Sequence, residues 1–95
     1  MLPLHVFAKI TPKPEHFRDA RAAIRGILAE TRVEEGCRSF NLFENEEAGH
    51  LFLVEEWTDP AALEAHYAQA YTMRVFEQYQ DWLAEAPEIH KMWAT

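Results

Sequence analysis

The chain is 95 residues long, with 48% hydrophobic and 26% charged residues and a formal net charge of −7. That composition excludes a largely disordered chain, the length suits one domain spanning 1–95, and no apolar run approaches the ~20 residues of a membrane span. The charge is uneven, seven Lys/Arg against five Asp/Glu over residues 1–43 and two against eleven over residues 44–95, so neither nucleic acid nor an anionic membrane meets the basic footprint it needs.

Leu2 to Ile10 alternates with period two: Leu4, Val6, Ala8 and Ile10 fall on one face, and His5, Phe7 and Lys9 on the other. This predicts a strand, and Thr11-Pro12-Lys13-Pro14 ends it because two prolines cannot continue a central ladder. From Glu15 to Glu34 the spacing becomes helical, with Phe17, Ala20, Ile24, Ile27, Leu28 and Thr31 on one stripe. Gly26 inside that helix costs about 1 kcal/mol relative to alanine, and Gly36 suits the residue just past the helix end.

Cys37–Glu44 and Leu51–Thr58 read as two strands joined by a glycine-containing hairpin loop over residues 45–49. Asp59-Pro60 opens a short helix, as a good N-cap followed by a good first helical residue. Leu63, His66 and Tyr67 share its inner face. After a break at Gln69–Tyr71, Thr72 is expected to cap a third helix carrying Val75, Phe76, Tyr79, Trp82 and Leu83 on its stripe, with Pro87 ending it. Glu88–Trp93 is a last strand. The order predicts a ferredoxin-like α+β fold, βαββααβ, with helices on one face of a four-stranded antiparallel sheet.

Helices cover only one face of such a sheet, yet both faces carry large apolar groups. In the third strand Leu51, Leu53 and Trp57 oppose Phe52 and Val54; in the second Phe40 and Leu42 oppose Phe43; in the fourth Ile89 and Trp93 oppose Met92. An apolar face of that extent marks an interface. We expect a homodimer formed through the sheet face, a dimeric α/β barrel.

Glu35-Gly36-Cys37 before a strand, Leu53-Val54-Glu55-Glu56-Trp57 closing another and Asp59-Pro60-Ala61-Ala62-Leu63-Glu64-Ala65-His66 opening a helix resemble the antibiotic biosynthesis monooxygenase family, and the resemblance runs from Leu4 to Trp93. It implies a dimeric α+β barrel. Its implied activities include cofactor-free oxidation of quinols and polyketides, haem degradation and isomerisation of a sugar phosphate. Haem-degrading members carry an axial histidine on the third helix and an asparagine on the first strand. Thr72–Ala84 has no histidine and Leu2–Ile10 no asparagine, so the resemblance points away from haem. Some polyketide-oxidising members carry an asparagine four residues before the tryptophan and a tyrosine six after it; here Leu53 and Leu63 stand there.

Among the residues themselves, His66 is the candidate proton acceptor, because imidazole is the side chain whose ordinary pKa lies near neutrality. Trp57 is a candidate to present its ring face to an aromatic ligand, and Tyr67 to steady an oxygen. Tyr71, Phe76 and Tyr79 are candidates for aromatic walls and hydroxyls. His5 and Asn41 project from strands of an otherwise apolar sheet and are candidates to bond a ligand oxygen. Glu55 and Glu56 point to opposite faces and share no site. Cys37 reads as a small strand residue; alone, it forms no internal disulfide and fits a reducing cytoplasm, and no leader segment is apparent. No two of the histidines 5, 16, 50, 66 and 90 have ligand spacing on one element, and no glycine-rich phosphate loop is present, so no metal and no cofactor is expected. The leading expectation is a cofactor-independent monooxygenase acting on a small aromatic or quinol-type ligand. The alternatives are an isomerase of a small carbonyl or sugar-phosphate compound and a non-catalytic dimeric binding module.

Overall fold

Period-two alternation decides which side chains reach the interior. In a computed structural model that describes residues 2–95, strand β1 (Leu4–Ile10) buries Leu4, Val6, Ala8 and Ile10 and turns His5, Phe7 and Lys9 away. It is central, pairing antiparallel with β3 (His50–Trp57) on one side and β4 (Glu88–Met92) on the other. Strand β2 (Cys37–Asn45) pairs with β3 through the predicted hairpin, giving the order β2-β3-β1-β4. This is the expected ferredoxin-like four-stranded sheet. The first strand starts at Leu4 rather than Leu2, and the last stops at Met92 rather than Trp93.

The helices lie on the inward face. The single helix expected over residues 15–34 is instead a turn of 3₁₀ helix (Pro14–His16), α1 (Phe17–Arg25) and α2 (Leu28–Arg32). The break falls at Gly26-Ile27, where the Ile27 amide donates to the carbonyl of Ile24, three residues back. Glycine lowers the cost of leaving the helix there, and the tightened turn keeps Ile24, Ile27 and Thr31 all buried. Helix α3 (Pro60–Tyr67) begins as predicted, the Asp59 carboxylate accepting from the Ala62 amide at 2.9 Å. Helix α4 (Ala70–Trp82) differs at both ends. Gln69, not Thr72, is its N-cap, and Thr72 is buried. It ends before Pro87, because Leu83 turns extended and bridges to Pro12, with the Lys13 amide donating to the Trp82 carbonyl at 2.8 Å and the Ala84 amide to the Thr11 carbonyl at 2.9 Å. No helix among the described residues is long and apolar enough to cross a membrane.

The outward face keeps its apolar groups without cover. Phe43 is 55% exposed, Val54 42% and Met92 44%. Phe7 and Phe52 pack between them with tilted rings, their centroids 5.8 Å apart.

Gly36 joins α2 to β2 at φ +88°, and a Cβ placed there would meet the Ala62 Cβ at 2.6 Å and the Thr58 hydroxyl at 2.9 Å. Gly49 in the hairpin has φ +79° but open space around it. Both therefore need a left-handed backbone, and only Gly36 also lets α3 approach. Gly49→Ala is expected to lower unfolding free energy by about 1 kcal/mol and Gly36→Ala by roughly 2–3 kcal/mol in denaturant titrations. Equal losses would show that the close approach of α3 contributes nothing.

Candidate active site

Between the inward face of the sheet and helices α3 and α4 lies a cavity of about 40 Å³, room for two or three waters at ~15 Å³ each. Aliphatic side chains of β1, β3 and α1 form its floor. Phe76 and Ile89, 38% and 43% exposed, stand at its mouth. The opening exists because α4 packs on α1 and α3 and leaves the inward side of β4 uncovered. No Lys or Arg lines the cavity.

One acid does. The alternation that carries Leu51, Leu53 and Trp57 inward carries Glu55 with them, and Glu55 is 6% exposed on the cavity wall. Its Oε1 accepts a hydrogen bond from the Trp57 indole N–H at 2.9 Å. Its other oxygen has no partner among the described residues. Burial pushes the Glu55 carboxyl up to about 7, with the Trp57 bond opposing part of that rise. The Tyr67 and Tyr79 hydroxyls are pushed up in turn by burial and by the negative charge of Glu55, so both stay protonated as donors.

His66 closes the opposite wall from α3. Its ring sits 5.0 Å from that of Trp57 and 5.3 Å from that of Phe40, and 3% of the residue is exposed. The Nδ1 atom lies 2.8 Å from Oε2 of Glu34, which enters from the loop after α2. A carboxylate only accepts, so Nδ1 carries a proton, and in the neutral imidazole that leaves the lone pair on Nε2. Nε2 has no hydrogen-bond partner among the described residues and is not sealed from solvent-sized space. Glu34 also accepts from the Tyr71 hydroxyl, and Thr72 Oγ1 stands 3.5 Å from Nδ1. Glu34 thus fixes the tautomer and orientation of His66, as the carboxylate partner of a catalytic histidine does.

The structure brings His66, Tyr67, Phe76 and Tyr79 to the cavity, the rings of the last three forming a continuous run with centroid spacings of 5.6 and 5.7 Å. It does not bring Trp57, which is fully buried behind His66 with its N–H occupied by Glu55, so its ring face is closed to a ligand. Tyr71 stands outside the cavity, behind His66. His5 and Asn41 are on the wrong side of the sheet, since each neighbours an inward residue on its strand. His5 lies 3.8 Å from Glu56, which also receives Arg38 at 3.2 Å, and Asn41 accepts from Arg32 at 3.3 Å. Cys37 is half-buried, and its thiol is pushed up by burial and by Glu34 and Glu55, which keeps it un-ionised. Sequence reasoning missed two residues. Glu55 carried a signal, an acid in phase with an apolar strand face; Glu34 carried none, because its partners lie 32 and 37 residues away. No group of three or more His, Cys, Asp or Glu among the described residues is placed to hold a metal ion.

The profile of the antibiotic biosynthesis monooxygenase family matches residues 3–85. The chain is 36% identical over 64 residues to a Mycobacterium tuberculosis protein named "Putative monooxygenase Rv0793", covering 67% of this chain and 63% of that one. The solved structure of Rv0793 superposes with a TM-score of 0.89 at 28% identity, covering 95% of this chain and 92% of the other. An uncharacterised Synechocystis protein is 32% identical over 88 residues, covering 92% of this chain and 60% of its own. PA3566 from Pseudomonas aeruginosa superposes with a TM-score of 0.92 at 26% identity, covering 100% and 96% of the two chains. The two curated relatives are thus matched over less than two thirds of their length.

The raised Glu55 carboxyl makes a stability prediction. Glu55 keeps its proton to higher pH in the folded chain than in the unfolded one, where it titrates at 4.5. Its contribution to stability is therefore full below pH 4.5 and is lost as pH rises through about 7. Glu55→Gln, which keeps an acceptor for Trp57, is expected to gain ~2–3 kcal/mol relative to wild type between pH 4.5 and pH 8 in urea titrations. A difference that is flat across that range rules out the buried carboxylate.

Proposed function

The chain belongs to the antibiotic biosynthesis monooxygenase family, and from that premise we propose that it oxidises a small aromatic or quinol-type substrate with molecular oxygen and without a cofactor. The observation that carries this reading is His66: a buried imidazole on the wall of an aromatic cavity, its Nδ1–H held by Glu34 and its Nε2 left as a proton acceptor. A hydroquinone that gives a hydroxyl proton to Nε2 becomes an anion able to pass an electron to oxygen. Recombination forms a carbon–oxygen bond to the ring; the O–O bond then breaks, one atom stays on the ring and the other leaves as water. The substrate loses two hydrogens and gains one oxygen, so the oxygen is fully reduced with no external donor. Phe76, Tyr67 and Tyr79 supply the aromatic walls, and because a cavity of about 40 Å³ is smaller than an aromatic ring this reading requires the mouth at Phe76 and Ile89 to open on binding. The absence of a lining cation weighs against a sugar phosphate as substrate.

The working unit in this reading is a homodimer. The outward sheet face, with Phe43, Val54 and Met92 exposed around the Phe7–Phe52 pair, is what a second copy covers. The reading places it in a reducing cytoplasm, where the lone Cys37 stays a thiol.

Oxygen-electrode measurements with a panel of substituted hydroquinones are expected to show uptake above the spontaneous rate, falling at least ~100-fold in His66→Gln. Uptake that is unchanged by this substitution in a folded variant removes His66 from the mechanism, and no uptake with any member removes the activity. Light scattering is expected to return twice the 11.1 kDa chain mass; a value of one chain mass at micromolar concentration sinks the dimer.

A further inference from the structure

Oxidation of a quinol releases two hydroxyl protons, and His66 has one free lone pair to take them. The cavity wall carries another acceptor. Glu55 is more than nine-tenths buried, its Oε1 is fixed by the Trp57 indole at 2.9 Å, and its remaining oxygen has no donor among the described residues. Among the described residues only the Thr31 hydroxyl oxygen is sealed without a partner, so this Glu55 oxygen borders open space, and the cavity it lines is where a donor can sit. The groups facing it from every packed element are known. Tyr67 on α3 and Tyr79 on α4 present un-ionised hydroxyls, and His66 on α3 is held by Glu34. Cys37 on β2 is an un-ionised thiol. On β4, Lys91 occupies the register position beyond Val6 but is exposed and makes no ion pair among the described residues. Among the described residues nothing cationic lines the cavity beside Glu55, so this part of its wall is suited to an uncharged hydroxyl and hostile to an anion.

We infer that Glu55 is a catalytic residue of this cavity: its free carboxylate oxygen accepts the proton of a ligand hydroxyl, so the site selects neutral hydroxyl-bearing aromatics and turns away aromatic carboxylates and phosphates. This rests on the aromatic-substrate reading above. It adds that Glu55 and His66 together hold the two hydroxyl protons until the departing oxygen takes them as water. Trp57 acts as a positioning residue, holding the carboxylate so that one oxygen faces the cavity.

The test is made without oxygen, so that its outcome is separate from turnover. Protein labelled with ¹⁵N at its three tryptophans gives indole signals, and Trp57→Phe assigns that of Trp57. In wild type the Trp57 indole proton is expected to shift with pH about a single midpoint near 7, and this shift is absent in Glu55→Gln. Hydroquinone is then titrated against 1,4-dimethoxybenzene, which has the same ring without a donor, and against 4-hydroxybenzoate, which adds a charge. At pH 8 hydroquinone is expected to bind at least ~10-fold more tightly than the diether, the effect of one hydrogen bond to a charged group. The carboxylate is expected to bind more weakly than hydroquinone. In Glu55→Leu, checked for folding by its amide spectrum, the preference over the diether collapses. Equal binding of diol and diether in wild type overturns the inference, as does a preference that survives in Glu55→Leu, an indole signal that does not titrate, or binding of none of the probes. Retained selectivity with no oxygen consumption overturns only the oxidation reading and leaves Glu55 as the ligand-reading group.

Discussion

The hydrogen bond from the Trp57 indole to Glu55 is the interaction around which the interior is built. An acid on the inward face of a central strand is a violation of the apolar pattern, and burial disfavours its charged form. The indole N–H offsets part of that penalty, and the carboxyl stands at about 7. Trp57 can do this because it lies two residues along the same strand, so both side chains emerge on one face. Removing the polar group of either residue alone leaves the other with an unmet donor or acceptor inside the core, which is why the pair behaves as a unit.

A second arrangement holds the opposite wall. Glu34 comes from the loop after α2, His66 from α3 and Tyr71 from α4, and one carboxylate oxygen receives both partners. Gly36 makes this geometry possible, because the same loop must pass close enough to α3 that no Cβ fits. The backbone adds a tie, the Thr58 amide donating to the Gly36 carbonyl at 2.9 Å. A local conformational requirement at one glycine is thereby converted into the orientation of an imidazole 30 residues later in the chain.

Much of this was readable in the sequence where one element suffices to set the outcome. Alternation in Leu4–Ile10 and His50–Trp57 assigns the inward residues strand by strand, and Asp59-Pro60 marks the start of α3 through a hydrogen bond confined to four residues. Glu55 was legible by the same rule. What could not be read is what depends on two elements meeting. The break at Gly26-Ile27 follows from keeping Ile24, Ile27 and Thr31 on the core, a tertiary demand that overrides helical spacing. The end of α4 is set by the bridge between Leu83 and Pro12, which are far apart in sequence. Trp57 looked available for stacking because sequence shows the ring and not the helix lying over it. His5 and Asn41 lie on the face away from this cavity, which the sequence leaves open because both sheet faces read as apolar.

The two faces of the sheet therefore divide the work. The outward one carries the Arg38–Glu56 ion pair across β2 and β3 and a contact between His90 and Glu88 on β4, around an apolar centre suited to a second copy of the chain. The inward one holds a single buried acid, Glu55, in a chain whose other acids lie mostly on the surface. The net charge of −7 follows from those surface acids, and an exposed charge more than ~10 Å away is largely screened by salt. The character of the cavity is set instead by one carboxyl, one imidazole and two un-ionised tyrosine hydroxyls in a dry aromatic wall. Departure from the apolar pattern at that one strand position is what a functional site looks like when every neighbouring position obeys it.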